Sequence, residues 1–265
     1  MSRIAGGAGV VSLLRPKGPL ILMYHGIGGV DGVSADALGA HLDCLVRRRR
    51  VVTLREAIAR LGRPDAPGLA AITFDDGYCD FAEHAVPQLA RRGLSATLFV
   101  PAGKVGGWND WDAGHAQPRQ ILDAAGLRAL DTRYVEIGAH GLQHVRMAGI
   151  PQDHLVAETR DARSELEGMI GRPVDLFAYP YGQLDDFDAS AQRAVADSGF
   201  VAACSTHFGR GSAPAERFRL RRVGIEPHDS VRVVEGKLDG RYDWLAWKER
   251  IGHALRRRGW RTEAA

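Results

Sequence analysis

Eight strand-like runs recur along the chain with helix-like stretches between them, and this rhythm constrains the fold more than any other feature. The runs are PLILMYH (19–25), RVVTL (50–54), LAAITFD (69–75), SATLFVP (95–101), YVEIGAH (134–140), VDLFAYP (174–180), FVAACST (200–206) and FRLRRVGI (218–225). Most are continuously apolar rather than alternating, which suits strands covered on both faces, as in parallel sheets. Amphipathic segments lie between them at 35–47, 55–61, 80–92, 118–130, 153–170 and 188–198. The fifth carries Leu155, Thr159, Ala162, Leu166 and Ile170 at helical spacing and ends on Gly171, a C-cap signal. The pattern predicts an α/β chain. Eight strands in 265 residues predict a distorted (β/α) barrel with seven or eight parallel strands.

No linker rich in Pro, Gly or Ser divides the chain, so a single domain over 1–265 is expected, with a core of about 19–228 and a C-terminal helix over 242–260. Trp244, Trp247, Ile251 and Leu255 share one stripe of that helix. The stripe either closes the barrel or, with its basic flank, lies on a membrane surface. A hydrophobic fraction of 45% supports a sizeable core. The net charge of +3 is local, in clusters at Arg47–Arg50 and Arg256–Arg258 that read as solvated faces rather than a nucleic-acid surface. Cys44, Cys79 and Cys204 form no metal or disulfide spacing. No apolar run is long enough to span a bilayer. The first residues lack an obvious cleavage site, so a cytoplasmic location is expected.

In such a barrel, chemistry sits where strands end. His25 follows the first run, Asp75 and Asp76 the third, His140 and His144 the fifth, YPYG (179–182) the sixth and His207 the seventh. Asp76, His140 and His144 make a plausible metal triad, since two histidines four apart share one face of a helical turn. One carboxylate and two imidazoles suit zinc, with cobalt, nickel or manganese fitting the same set. A metal lowers the pKa of the water it binds, and Asp75 is then placed as the base that takes the proton. A protonated imidazole opposite would donate a proton to the leaving group. The stretch GGWNDWDAGHAQP (106–118) reads as a substrate loop. Trp108 and Trp111 would offer aromatic faces to a ligand, with Asn109 or Asp110 bonding its polar groups; alternatively both tryptophans pack down to anchor the loop.

At these residues the sequence resembles the polysaccharide deacetylases, carbohydrate esterase family 4. Thr73-Phe74-Asp75-Asp76-Gly77 matches the family's first motif, His140 and His144 its second, and Pro180-Tyr181-Gly182 the end of its third. The resemblance spans about 20–225. It implies metal-dependent removal of acetyl groups, most simply N-acetyl, from a sugar or glycoconjugate, with a divalent ion held by Asp76, His140 and His144. It implies Asp75 as base and a backbone N–H at Tyr181 for the oxyanion. Tyr24, Trp108, Trp111 and Pro180 are expected at the substrate, the two tryptophans stacking on sugar rings. Within the branch resembling poly-N-acetylglucosamine deacetylases, Tyr24-His25 matches a pair whose histidine is the acid. His207 and His228 are the other acid candidates. Three departures stand out. The family's C-terminal L-x-H motif, which supplies the acid histidine, is not obvious here. Ala178 occupies the position where the family often has the arginine that orients the base, and Gly141 replaces a hydroxyl residue in the metal loop. The competing readings are a catalytically silent carbohydrate-binding barrel and a metallohydrolase of another non-peptide C–N bond.

Overall fold

A computed structural model describes residues 18–112 and 117–257. The strands are β1 (Leu20–Tyr24), β2 (Arg50–Val51), β3 (Leu69–Phe74), β4 (Ala96–Val100), β5 (Val135–Ala139), β6 (Leu176–Ala178), β7 (Ala202–Phe208) and β8 (Leu220–Gly224). Every pairing between them is parallel. The order β1-β8-β7-β6-β5-β4-β3 closes on itself through β1 and β3, in register from Leu20↔Ala70 to Tyr24↔Phe74. Seven strands therefore form a closed barrel, and the two-residue β2 is added at the start of β3.

The helices are α1 (Ala35–Val46), α2 (Leu54–Ala59), α3 (Val86–Arg91), α4 (Ala124–Ala129), α5 (Gln152–Val156), α6 (Ala162–Ile170), α7 (Ala189–Asp197), α8 (Val231–Asp239) and α9 (Trp244–Arg257). A π turn over Phe81–Ala85 leads into α3, and another over Ala157–Asp161 joins α5 to α6.

Strand alternation divides the core in two. Leu22, Tyr24, Ile72, Phe74, Leu98 and Ile137 pack outward under the helices. Ile21, Ala71, Phe99, Leu176, Cys204 and Leu220 point inward, together with Leu54, Ala57 and Ile58 of α2. Thus α2 plugs the mouth at the strands' N-terminal ends. Its Arg55 reaches Glu136 at 3.1 Å and Asp175 at 2.6 Å, beside the starts of β5 and β6. Each large apolar side chain buried this way contributes about 1.5–3 kcal/mol.

Local chemistry moves several boundaries from the expected ones. Thr53 caps α2, which cuts the second strand to two residues. Asp123 accepts from the Gly126 N–H and starts α4 there, so 118–122 is extended rather than helical. Gly171 ends α6 in the left-handed conformation at φ 69°, as its position suggests. In α9, Leu245 and Ala246 pack on the core, whereas Trp244 and Trp247 are 57% and 69% exposed. The tryptophan stripe therefore faces outward and does not close the barrel. The side chains of residues 255–257, residue 258 and residues 1–17 lie outside the described part. Arg48 pairs with Glu235 of α8 at 3.3 Å and Arg50 with Glu56 at 3.0 Å, so part of the Arg47–Arg50 cluster is tied into the fold, while Arg47 is exposed. All three cysteines are free. No helix among the described residues is long and apolar enough to cross a membrane.

Candidate active site

Asp75 and Asp76 stand where β3 ends, and the backbone turns sharply between them. Asp75 continues the inward side of the strand, its N–H donating to the Tyr24 carbonyl at 3.0 Å. Asp76 takes a left-handed φ of 74° and is followed by Gly77 at 71°. The two like charges are thereby sent to different partners. The Asp75 carboxylate receives both terminal nitrogens of Arg222 at 2.7 Å. Asp76 Oδ1 lies 3.5 Å from His140 Nε2 and 3.4 Å from His144 Nε2.

Among the described residues, the non-glycine residues in the left-handed region are Asp76, His144 and Tyr181, at φ 74°, 58° and 60°. Each such residue costs on the order of 1–3 kcal/mol and persists only where its surroundings hold it. All three come from the sequence motifs at the strand ends, so the strain is concentrated in one place.

Asp76, His140 and His144 are buried, and their ligating atoms lie within 4.8 Å of one another. His140 Nδ1 donates to the Ala178 carbonyl at 2.8 Å, which leaves Nε2 as the lone-pair nitrogen facing Asp76. A ring fixed through its far nitrogen is the usual support of a metal-bound imidazole. His144 Nδ1 is buried without a hydrogen-bond partner. Trp111 stacks on the His144 ring at 4.0 Å and Tyr181 meets its edge at 4.9 Å. This donor set fits a divalent transition metal. Burial pushes the Asp76 carboxyl up, but its interactions with the His140 and His144 rings prevail and hold it well below the ordinary carboxylate range.

The expected helical turn across His140 and His144 is absent. Residues 140–144 form a loop. Glu158, on the π turn between α5 and α6, clamps it by accepting from Leu142 N–H at 2.8 Å and Gln143 N–H at 3.1 Å. Gly141 has φ 75°, and a Cβ there would sit 2.6 Å from Glu158 Oε2. The glycine makes room for the carboxylate that anchors the loop.

Arg222 answers the question left by Ala178. It lies on β8, points into the barrel, and is fully buried. Besides Asp75, its guanidinium reaches the Thr73 hydroxyl at 3.1 Å and the Ser205 carbonyl at 2.8 Å. Burial raises the Asp75 carboxyl, and the charges of Arg222 and then His140 more than offset that, leaving it below the usual value.

A cavity of about 250 Å³ opens above these groups, lined by His25, Asp76, Tyr78, Asp112 and Glu226 among others. His25 is half-exposed, with Nε2 3.9 Å from Asp75 Oδ2. The other histidines expected to compete with it are elsewhere. His228 is exposed, and His207 lines a different cavity. No described residue accepts a hydrogen bond from the Tyr181 N–H, while Tyr181 carbonyl accepts from the Thr206 hydroxyl at 2.8 Å.

Several expected substrate contacts are placed differently. Tyr24 is 1% exposed, stacked on Phe74 at 5.1 Å, because it faces the helix layer. Pro180 is buried against the metal loop. Neither offers a surface to a ligand. Trp111 is spent on His144, whereas Trp108 is 54% exposed. Asn109 is 5% exposed and ties its own loop, donating to the Gln117 carbonyl at 3.1 Å and accepting from Arg119 N–H at 2.6 Å. Asp110 pairs with Lys104 at 2.8 Å. Arg119 straps the mouth by bridging Asp31 and Asp80, and Asp80 also accepts from the Ile27 N–H at 3.0 Å.

A sequence model of polysaccharide deacetylases matches residues 62–203. The chain belongs to the polysaccharide deacetylase family. YxkH of Bacillus subtilis (strain 168), named as a candidate polysaccharide deacetylase, is 25% identical over 218 residues, covering 80% of this chain and 73% of the relative. Among solved structures, IcaB from Ammonifex degensii superposes with a TM-score of 0.72 at 23% identity, covering 85% of this chain and 98% of that one. The Streptococcus pyogenes deacetylase PplD, solved with acetate, gives 0.70 at 20% identity, covering 84% and 99%. These structural likenesses establish the shared fold, and the family places this polysaccharide deacetylase among hydrolases of acetylated sugars.

Proposed function

We propose that the protein is a metal-dependent hydrolase that removes N-acetyl groups from a sugar or glycoconjugate. The observation that carries this reading is the pairing of two adjacent carboxylates with different partners: Asp76 with two histidines, Asp75 with Arg222. A protein that only bound sugar would have no use for a buried, ionised Asp75 beside a ligand set. The silent-binder reading draws on the arginine missing at 178 and on the missing L-x-H motif of the acid histidine; Arg222 speaks against the first of these.

Asp76, His140 and His144 would hold the ion, with zinc favoured by the donor set and cobalt, nickel or manganese acceptable to it. When bound, it supplies Lewis acidity toward the acetyl carbonyl and lowers the pKa of the attacking water. Asp75, kept ionised and aimed by Arg222, takes that water's proton. The unpaired Tyr181 N–H is directed by a strained backbone at the developing oxyanion, a role worth about 2.7–4 kcal/mol in acyl-transfer sites. His25, at the cavity wall, gives a proton to the departing amine as the C–N bond breaks. Water and amide thus become acetate and amine. Exposed Trp108 remains available to stack on a sugar beyond the cavity. Cytoplasmic residence and contact with a membrane-presented substrate through the outward tryptophans of α9 complete the proposal, and fractionation of cells tests both.

The direct test is acetate release from N-acetylglucosamine oligomers before and after chelation, with the divalent ions restored singly. The reading requires loss on chelation and recovery on re-addition. Release that ignores chelation contradicts it.

A further inference from the structure

A second cavity, of about 330 Å³, lies outside the barrel wall, where α9 crosses β7 and β8. That volume is at the lower end for small-ligand pockets, about 300–1,000 Å³. Leu184 and Phe187 form its apolar side. Its charged side is dominated by Arg219, Arg221 and Arg250, set against the single lining carboxylate of Glu216. Arg221 is paired with Glu216 at 2.6 Å. The side chains of Arg219 and Arg250 make no hydrogen bond or ion pair among the described residues, so two guanidinium groups are uncommitted at the opening.

His207 gives the cavity a built floor. It is 9% exposed, and its Nε2 has no hydrogen-bond partner. Glu249 Oε2 is 3.4 Å from it, close enough for attraction but without hydrogen-bond geometry, and already accepts from the Phe208 N–H at 3.0 Å. Burial first, then the charges of Arg221 and Arg250, push the His207 imidazole down to about 4, so it is neutral in the free protein. His253 is turned away to Asp185 at 2.6 Å. Ser205 separates this cavity from the catalytic side, since its carbonyl accepts from Arg222 Nε through the wall of the barrel.

We propose that this cavity is a second ligand site that takes a phosphate group. Three guanidinium groups, two of them uncommitted, beside the partnerless Nε2 of a buried histidine suit the several acceptor oxygens and the double charge of a phosphate, which arginine forks bind in pairs. A lone carboxylate would leave part of that donor array unmet. The phosphate belongs either to a soluble ester or to a lipid headgroup, and the outward Trp244 and Trp247 on the same helix make the second source worth testing.

The test titrates wild type and the Arg219→Ala/Arg250→Ala double variant with pyrophosphate, at matched ionic strength in chloride, following heat and the His207 ring resonances. Both substitutions are at exposed positions away from the catalytic groups, and melting curves check that the fold is kept. The proposal requires saturable one-to-one binding to wild type, movement of the His207 signals, and a loss of about tenfold or more in the double variant. No saturable response, or one the double variant retains, overturns it. Co-sedimentation with phosphatidylglycerol vesicles, against phosphatidylcholine, separates the sources. Vesicle binding lost in the double variant assigns the phosphate to a lipid. Pyrophosphate binding without vesicle binding assigns it to a soluble ester.

Discussion

At the scale of single residues, the site depends on one buried ion pair. Arg222 and Asp75 are 0% and 1% exposed, so neither charge can fall back on solvent if the other is removed. Arg222→Ala is expected to cost about 3–5 kcal/mol, because it leaves a buried carboxylate uncompensated. Chemical denaturation measures this, and adding Asp75→Asn to Arg222→Ala should recover part of the loss, a coupling that a double-mutant cycle reads directly. The pH dependence has a definite sign. The folded-state pKa of Asp75 is depressed, so the pair stabilises the protein above the unfolded carboxylate value, about 3.9, and that contribution is lost as pH falls through the lower folded value. Without Arg222 the acid limb of the activity profile should move to higher pH. Of these residues, Asp75, Asp76, His140 and His144 were legible in the sequence because their motifs are short and local. Arg222 was not, since it meets Asp75 from 147 positions away and its strand reads as apolar with ordinary surface arginines. Only alternation could have flagged it: Leu220 and Arg222 share a face, and that face points into the barrel. Tyr24 was misjudged for the converse reason, because the same alternation sends it outward under the helices.

At the scale of elements, the metal loop is shaped by a helix defect. The π turn over Ala157–Asp161 carries Glu158 to the loop, and Gly141 leaves the space it occupies. Glu158→Ala should cost about 1–3 kcal/mol through two orphaned backbone N–H groups. It should also weaken metal affinity about 10–100-fold, as loss of a supporting partner does elsewhere. Metal titration monitored by calorimetry checks the second figure. Gly141→Ala should be worse than a typical surface change, since a Cβ must fit both a left-handed φ and a 2.6 Å approach. A sequence shows that residue 141 is glycine but not that a carboxylate 17 positions later needs its room. The helical turn expected across the two histidines failed for the same reason, because spacing alone does not distinguish a helix from a clamped loop. Arg119 is the equivalent strap on the other rim, and Arg119→Ala should raise KM more than it lowers kcat by freeing the segments held by Asp31 and Asp80.

At the scale of the whole molecule, the barrel was legible because its seven strands are buried enough to read as runs of their own, while the eighth run, RVVTL, shrank to the two-residue β2 outside the ring. Its closure through β1 and β3 was not, since nothing in a linear pattern says that seven strands complete the ring and the eighth stays outside. The site joins β3, β5, β6 and β8, so an ion bound at Asp76, His140 and His144 links distant parts of the chain. A ligand present at 100 times its Kd stabilises the folded state by about 2.7 kcal/mol. Adding zinc should therefore raise the melting temperature by several degrees, and His140→Ala should abolish the rise. The most direct test of the central claim compares acetate release by the metal-loaded wild type and Asp75→Asn on short N-acetylglucosamine oligomers. The account predicts release by wild type, and for Asp75→Asn equal metal content with turnover lower by about 100-fold or more. Turnover by Asp75→Asn equal to wild type, with the same metal content, would contradict the assignment of Asp75 as the base.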